Sequence, residues 1–147
     1  MKLFAYGSNM LASRLTERGI TAEGGEIGVL NHYDIAFNKV SKKNNEQGFA
    51  NIVPRWDSHV LGRLWEVTAA DLKKLDVFEG FPTHYEKTLV PVQVLGTALL
   101  HLSVVYVAVS PHPTNLQVSE EYGKLIMEGL KDFDQVYRNK VGSLMGL

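Results

Sequence analysis

The sequence predicts an α+β fold in which a curved mixed sheet, able to close into a barrel, carries a few helices. Three observations predict it. Apolar runs with strand character recur about seven times along the chain. Helical periodicity is confined to about three stretches. Strands and helices do not alternate regularly, which argues against a doubly wound parallel sheet. At 147 residues the chain is long enough for one proper core, and neither a linker nor a repeat divides it. One domain over residues 1–147 is therefore expected.

Taken in order, Lys2 to Tyr6 is a short apolar run suited to a strand. Gly7-Ser8-Asn9 then turns the chain into a helix over Met10 to Arg18, with Met10, Leu11, Arg14 and Leu15 at helical spacing. Gly24-Gly25 reads as a loop. Ile27 to Leu30 and Tyr33 to Val40 read as extended, with Tyr33, Ile35 and Phe37 alternating with Asp34, Ala36 and Asn38. Ser41 to Gly48 is a polar loop. Phe49 to Val53 is a short strand stopped by Pro54, and Trp56-Asp57-Ser58 makes a turn. Val60 to Val67 is a strand whose Gly62 marks a bulge or a close backbone approach.

Thr68 is a good N-cap for the next helix, and Asp71 places negative charge in its first turn. Gly80 and Pro82 stop that helix. Tyr85 to Leu95 and Leu99 to Val109 form a hairpin about a Gly96-Thr97 turn, with the unbroken apolar run Val104 to Val109 in an interior strand. Pro111-His112-Pro113 is a rigid connector. Ser119 caps a last helix with Tyr122, Leu125, Ile126, Leu130 and Phe133 on its apolar face. From there to Leu147 the pattern is weak, and a fraying tail is expected.

Composition narrows the function classes. Formal net charge is −1 and no basic block occurs, which argues against a nucleic-acid binder that lives on phosphate contacts. The chain has no cysteine, so disulfides, thiol nucleophiles and thiolate metal sites are excluded. Its five histidines lack metal-ligand spacing, and no cofactor is expected. No apolar run approaches the length of a membrane span or a signal-peptide core, so a cytoplasmic, membrane-free protein is the expectation.

Two features point to chemistry. Gly7, Ser8 and Asn9 lie between a strand and a helix, where free N–H groups can face a carboxylate, a phosphate or a developing oxyanion. The alternative is that Ser8 or Asn9 is a plain helix N-cap. Glu79 follows Leu72 by seven residues, about 20° around a helix axis, so it projects from an apolar face. A carboxyl buried there is held toward neutral pH, where it can act as general acid and base. Alternatively the last turn unwinds and Glu79 is solvated or pairs with Lys87. Asp76, one turn earlier, is either a second acid of the site or a structural cap or pairing partner, and the structural role is favoured; Tyr122 and Tyr85 suit core positions with satisfied hydroxyls.

With these residues in view, the chain resembles the γ-glutamylcyclotransferase-like family. The resemblance is carried by Phe4-Ala5-Tyr6-Gly7-Ser8-Asn9-Met10, Val60-Leu61-Gly62-Arg63-Leu64-Trp65, Leu75-Asp76-Val77-Phe78-Glu79-Gly80 with Tyr85 soon after, and Tyr122. It implies a small mixed β-barrel with flanking helices. It also implies cyclisation of the γ-glutamyl group of a small molecule to 5-oxoproline, with release of an amine or amino acid and no metal, nucleotide or water consumed. Glu79 then corresponds to the acid/base. Tyr6, Gly7, Ser8, Asn9 and Tyr122 fall at substrate-binding positions, and specificity falls to the loops Ser41 to Gly48, Phe81 to His84 and Pro111 to Val118. Two other readings use the same residues: a carboxylate-binding module without turnover, and hydrolysis releasing glutamate.

Overall fold

The computed structural model describes Met1–Leu147. Strand β1 (Lys2–Ala5) leads through a 3₁₀ turn (Ser8–Met10) to α1 (Ala12–Glu17). Strands β2 (Glu23–Val40) and β3 (Gly48–Glu66) follow, then α2 (Ala69–Glu79). The hairpin β4 (Tyr85–Val94) and β5 (Leu100–Ala108) precedes helices α3 (Glu120–Gly129) and α4 (Gln135–Leu144). The strands close into a barrel in the order β1-β3-β2-β4-β5. Closure comes from β1, which pairs antiparallel with β3 and parallel with β5 through Lys2 opposite Ser103 and Leu3 opposite Val104. A closed barrel has no open edge to protect, which lets all five strands be rich in β-formers.

The count of strands is five rather than seven because β2 and β3 each run through breaks that looked terminal. In β2 the Gly24-Gly25 pair and the Asn31-His32 step are bulges, not loops. Pairing jumps from Asn31 opposite His59 to Tyr33 opposite Pro54, so Arg55 to Ser58 loop out beside the ladder. Pro54 is tolerated because it sits at this irregularity, where a ladder N–H is not needed. Gly62 is a close backbone approach: a Cβ there would lie 2.4 Å from the carbonyl oxygen of Ala5.

Helix α2 starts with a full capping box, Thr68 and Asp71 bonding each other's backbone N–H, and ends at Gly80 with φ 68°. Ser119 caps α3 through the Tyr122 N–H. The predicted fraying tail is instead α4, capped by the Asp134 carboxylate on the Tyr137 N–H at 2.8 Å. Tyr137, Val141 and Met145, four residues apart, bury its inner stripe. The same core joins Phe4, Leu30, Phe37 and Leu64 of the strands to Leu72, Leu75 and Ile126 of the helices. Past β5, the connector runs back along β2: His112 N–H donates to Asn38, Leu116 N–H to Phe37, and Phe37 N–H to the Asn115 side chain. The C-terminal end of β1 with the turn after it, the end of β2 and the loop after it, the end of α2 and the start of α3 frame one cleft, and the strap lies outside it, so Pro111 to Val118 does not line the cleft as expected for a specificity loop.

Candidate active site

The cleft measures about 360 Å³ and brings together Tyr6, Gly7, Ser8, Asn9, Glu79 and Tyr122, all six residues singled out from the sequence. Glu79 closes α2 on its inner side. The neighbouring Val77 and Phe78 are exposed, whereas the Glu79 side chain is only 16% exposed. The helix therefore does reach Glu79, and the solvated alternative does not hold. Lys87 pairs with Asp76 instead, at 2.9 Å, and the other Asp76 oxygen accepts from the Tyr106 hydroxyl at 2.6 Å. Asp76 is thus structural.

Asn9 is not an N-cap, and neither is Ser8, since no side-chain cap bond opens the 3₁₀ turn or α1. The Asn9 side-chain amide donates to Glu79 Oε1 at 2.8 Å and accepts from Arg18 at 3.1 Å, while the Asn9 backbone carbonyl accepts from the Trp65 indole at 3.0 Å. Arg18 Nη1 lies 3.4 Å from Glu79 Oε1, and its guanidinium covers the Phe78 ring. Burial raises the Glu79 carboxyl above the ordinary carboxylate range, against the opposing pull of Arg18, Asn9 and Arg14. Arg18 was not singled out by sequence reasoning. A lone arginine before Gly19 reads as a helix end, and only the fold brings it to Glu79.

The N–H groups of Gly7, Ser8 and Asn9 donate to no turn, loop or cap acceptor. Gly7 is in a tight spot rather than a left-handed turn: its φ is −113°, and a Cβ would lie 3.2 Å from Ala50 Cβ and 3.4 Å from the Tyr122 hydroxyl, so a side chain there would press on the cleft wall. Tyr122 Oη accepts the Ala50 N–H at 3.1 Å, and burial holds its hydroxyl protonated. Tyr6 donates to the Tyr106 carbonyl and Tyr85 to the Ala50 carbonyl. Both phenols are raised by burial and by the Glu79 charge, so all three tyrosines stay neutral beside the carboxyl. Arg14 lines the same wall, and its buried Nε has no hydrogen-bond partner.

The sequence matches the family model described as "Gamma-glutamyl cyclotransferase, AIG2-like" over residues 3–127. The chain belongs to this gamma-glutamyl cyclotransferase family. Among solved structures, one described as a gamma-glutamyl cyclotransferase superposes with a TM-score of 0.84 at 23% identity, covering 97% of this chain and 86% of its own. YkqA from Bacillus subtilis gives a TM-score of 0.84 at 18% identity, over 99% of this chain and 54% of its own. A yeast cyclotransferase described as specific to glutathione gives 0.74 at 12% identity, over 99% and 94%. At these identities the structures establish the cyclotransferase barrel and nothing finer. No curated protein matches the sequence significantly.

Proposed function

We propose that this cyclotransferase-family protein converts a γ-glutamyl small molecule to 5-oxoproline and a free amine, with Glu79 as the proton carrier. The observation that carries the reading is one acid, buried and raised in pKa, facing a cleft whose other charged groups are cations.

The reaction is an intramolecular aminolysis. The substrate's α-ammonium loses one proton to solvent and becomes a free amine, which attacks the γ-carbonyl carbon. A C–N bond forms, and the carbonyl becomes an oxyanion. Glu79, ionised, takes the second proton from the attacking nitrogen. It then returns that proton to the leaving nitrogen as the original C–N bond breaks. One group suffices because acceptance and donation are sequential. Nucleophile and electrophile belong to one molecule, so the cleft's main task is to hold the substrate folded. The Gly7, Ser8 and Asn9 N–H groups are available to the oxyanion or the α-carboxylate, and the unpartnered Arg14 is a second candidate for the carboxylate.

The test incubates purified protein with a mixture of γ-glutamyl amino acids and amines and follows products by mass spectrometry. Release of 5-oxoproline with an equimolar amine is the expected result. Glutamate in its place would establish hydrolysis. Binding without either product would leave a carboxylate-binding module and overturn the catalytic reading.

A further inference from the structure

Lys39 is a buried cation of the cleft that the chemistry above does not use. It sits near the end of β2, where a register shift between Ala36 and Lys39 marks a bulge. Bulges re-aim side chains next to functional sites. Lys39 is only 8% exposed, yet it takes part in no ion pair. Its ammonium donates to one protein acceptor, the carbonyl of Val40 at 2.6 Å, and lies 5.9 Å from the centre of the Tyr85 ring. An ammonium has three donors. Two are therefore left without a protein acceptor at a buried position that opens on the cleft. A buried charge without a counter-ion is unfavourable unless something else supplies one.

Nothing in the protein supplies it. Glu79 is the only acid among the residues that line the cleft, and Arg18 and Asn9 already engage it. Lys42 and Lys43, from the loop after β2, line the cleft beside Lys39 and add charge of the same sign. The two groups of cations sit on different elements. Arg14 and Arg18 come from α1 and its C-terminal cap, with Arg18 3.4 Å from Glu79, whereas Lys39 comes from the end of β2 and Lys42 and Lys43 from the loop after it. One cationic end thus lies by the reacting carboxyl and another lies by the Lys39 loop. A γ-glutamyl group has one carboxylate to offer, its own.

We propose that the Lys39 end of the cleft is a leaving-group subsite that selects an amine carrying its own negative charge, such as an amino-acid carboxylate, and that Lys39 is the specificity-determining residue. This rests on the cyclisation reading above, with the γ-glutamyl carboxylate held at the Arg14 end. Ser41, buried at the same rim, adds a hydroxyl to the subsite.

The test uses two probes with the same ethylamine skeleton, γ-glutamylalanine and γ-glutamylethylamine, which differ only in the leaving-group carboxylate. Turnover is measured on the wild type, Lys39→Met and Lys39→Arg. Calorimetric binding is measured on Glu79→Gln with and without Lys39→Met. Methionine keeps most of the lysine stem and removes an unpaired buried charge, a change that cores accept readily. The wild type is expected to favour γ-glutamylalanine by about ten- to a hundredfold in kcat/KM, the range of a hydrogen bond to a charged group. In Lys39→Met that preference collapses toward unity, and Lys39→Arg retains most of it. A wild type that treats both probes alike, or a Lys39→Met that slows both by the same factor, overturns the proposal. If neither probe yields 5-oxoproline, the cyclisation reading fails, and the binding arm decides the subsite alone. Tighter binding of γ-glutamylalanine that Lys39→Met abolishes upholds an anion subsite; equal or absent binding overturns it.

Discussion

Replacing Glu79 by glutamine isolates proton transfer from positioning. Glu79 Oε1 accepts from Asn9 at 2.8 Å and lies 3.4 Å from Arg18. A glutamine oxygen can receive the same two donors, so the wall of the cleft keeps its shape. What is lost is the ability to take a proton from the attacking amine and return it. General acid–base catalysis of this kind is worth about two to four orders of magnitude, or about 2.7–5.4 kcal/mol of barrier. The expected result is a fall in kcat of that size, with substrate affinity within a few-fold of wild type, measured by 5-oxoproline release and by calorimetry. Stability supplies an independent check. The folded-state carboxyl is raised by burial, so its ionised form opposes folding. Below about pH 4 the carboxyl is protonated in folded and unfolded chains alike, and the two proteins should melt together. As pH rises through the folded-state value, wild type loses stability that the glutamine variant keeps. The variant should therefore melt higher at neutral pH, with the gap widening from acid to neutral. Turnover within threefold of wild type would refute Glu79 as the carrier. A variant that melts lower at neutral pH would refute the burial argument.

Other perturbations probe the surroundings. Arg18→Met removes a cation that opposes the raised Glu79 carboxyl, so the ascending, acid-side limb of kcat/KM should move to higher pH; an unmoved limb would mean the contact does not tune Glu79. Gly62→Ala places a Cβ 2.4 Å from a backbone oxygen of β1 and should destabilise by about 1–3 kcal/mol in urea unfolding, without shifting that pH limb. Asp134→Ala removes the α4 cap and should lower stability by about 1 kcal/mol; no change would show that α4 is held by Tyr137, Val141 and Met145 alone.

Local signals were legible because they act over a few residues. Thr68 with Asp71, Ser119, the Gly96-Thr97 turn and the stop at Gly80 all work where they stand. The seven-residue step from Leu72 to Glu79 was enough to aim the carboxyl inward, and α2 continues far enough to do so. Breaks were harder to read. Pro54 and Gly24-Gly25 normally end a strand, yet here a partner strand bridges them with bulges, and nothing in a single strand announces its partner. Helix α4 was missed because its apolar stripe is only Tyr137, Val141 and Met145, and its other positions are mostly polar.

By itself the sequence determined the strand-rich α+β class, the capped helices, the glycine turn after β1 and the inward glutamate, since propensity, capping and periodicity are properties of short segments. Tertiary structure alone decided that β1 closes the barrel against β5, that Asn9 bonds Glu79 across 70 residues of chain, and that Arg18, Arg14 and Lys39 share a cleft with it. Those contacts depend on barrel register and on how α1 and α2 pack. A one-residue slip in a strand reverses which side chains face in, so no local pattern encodes them.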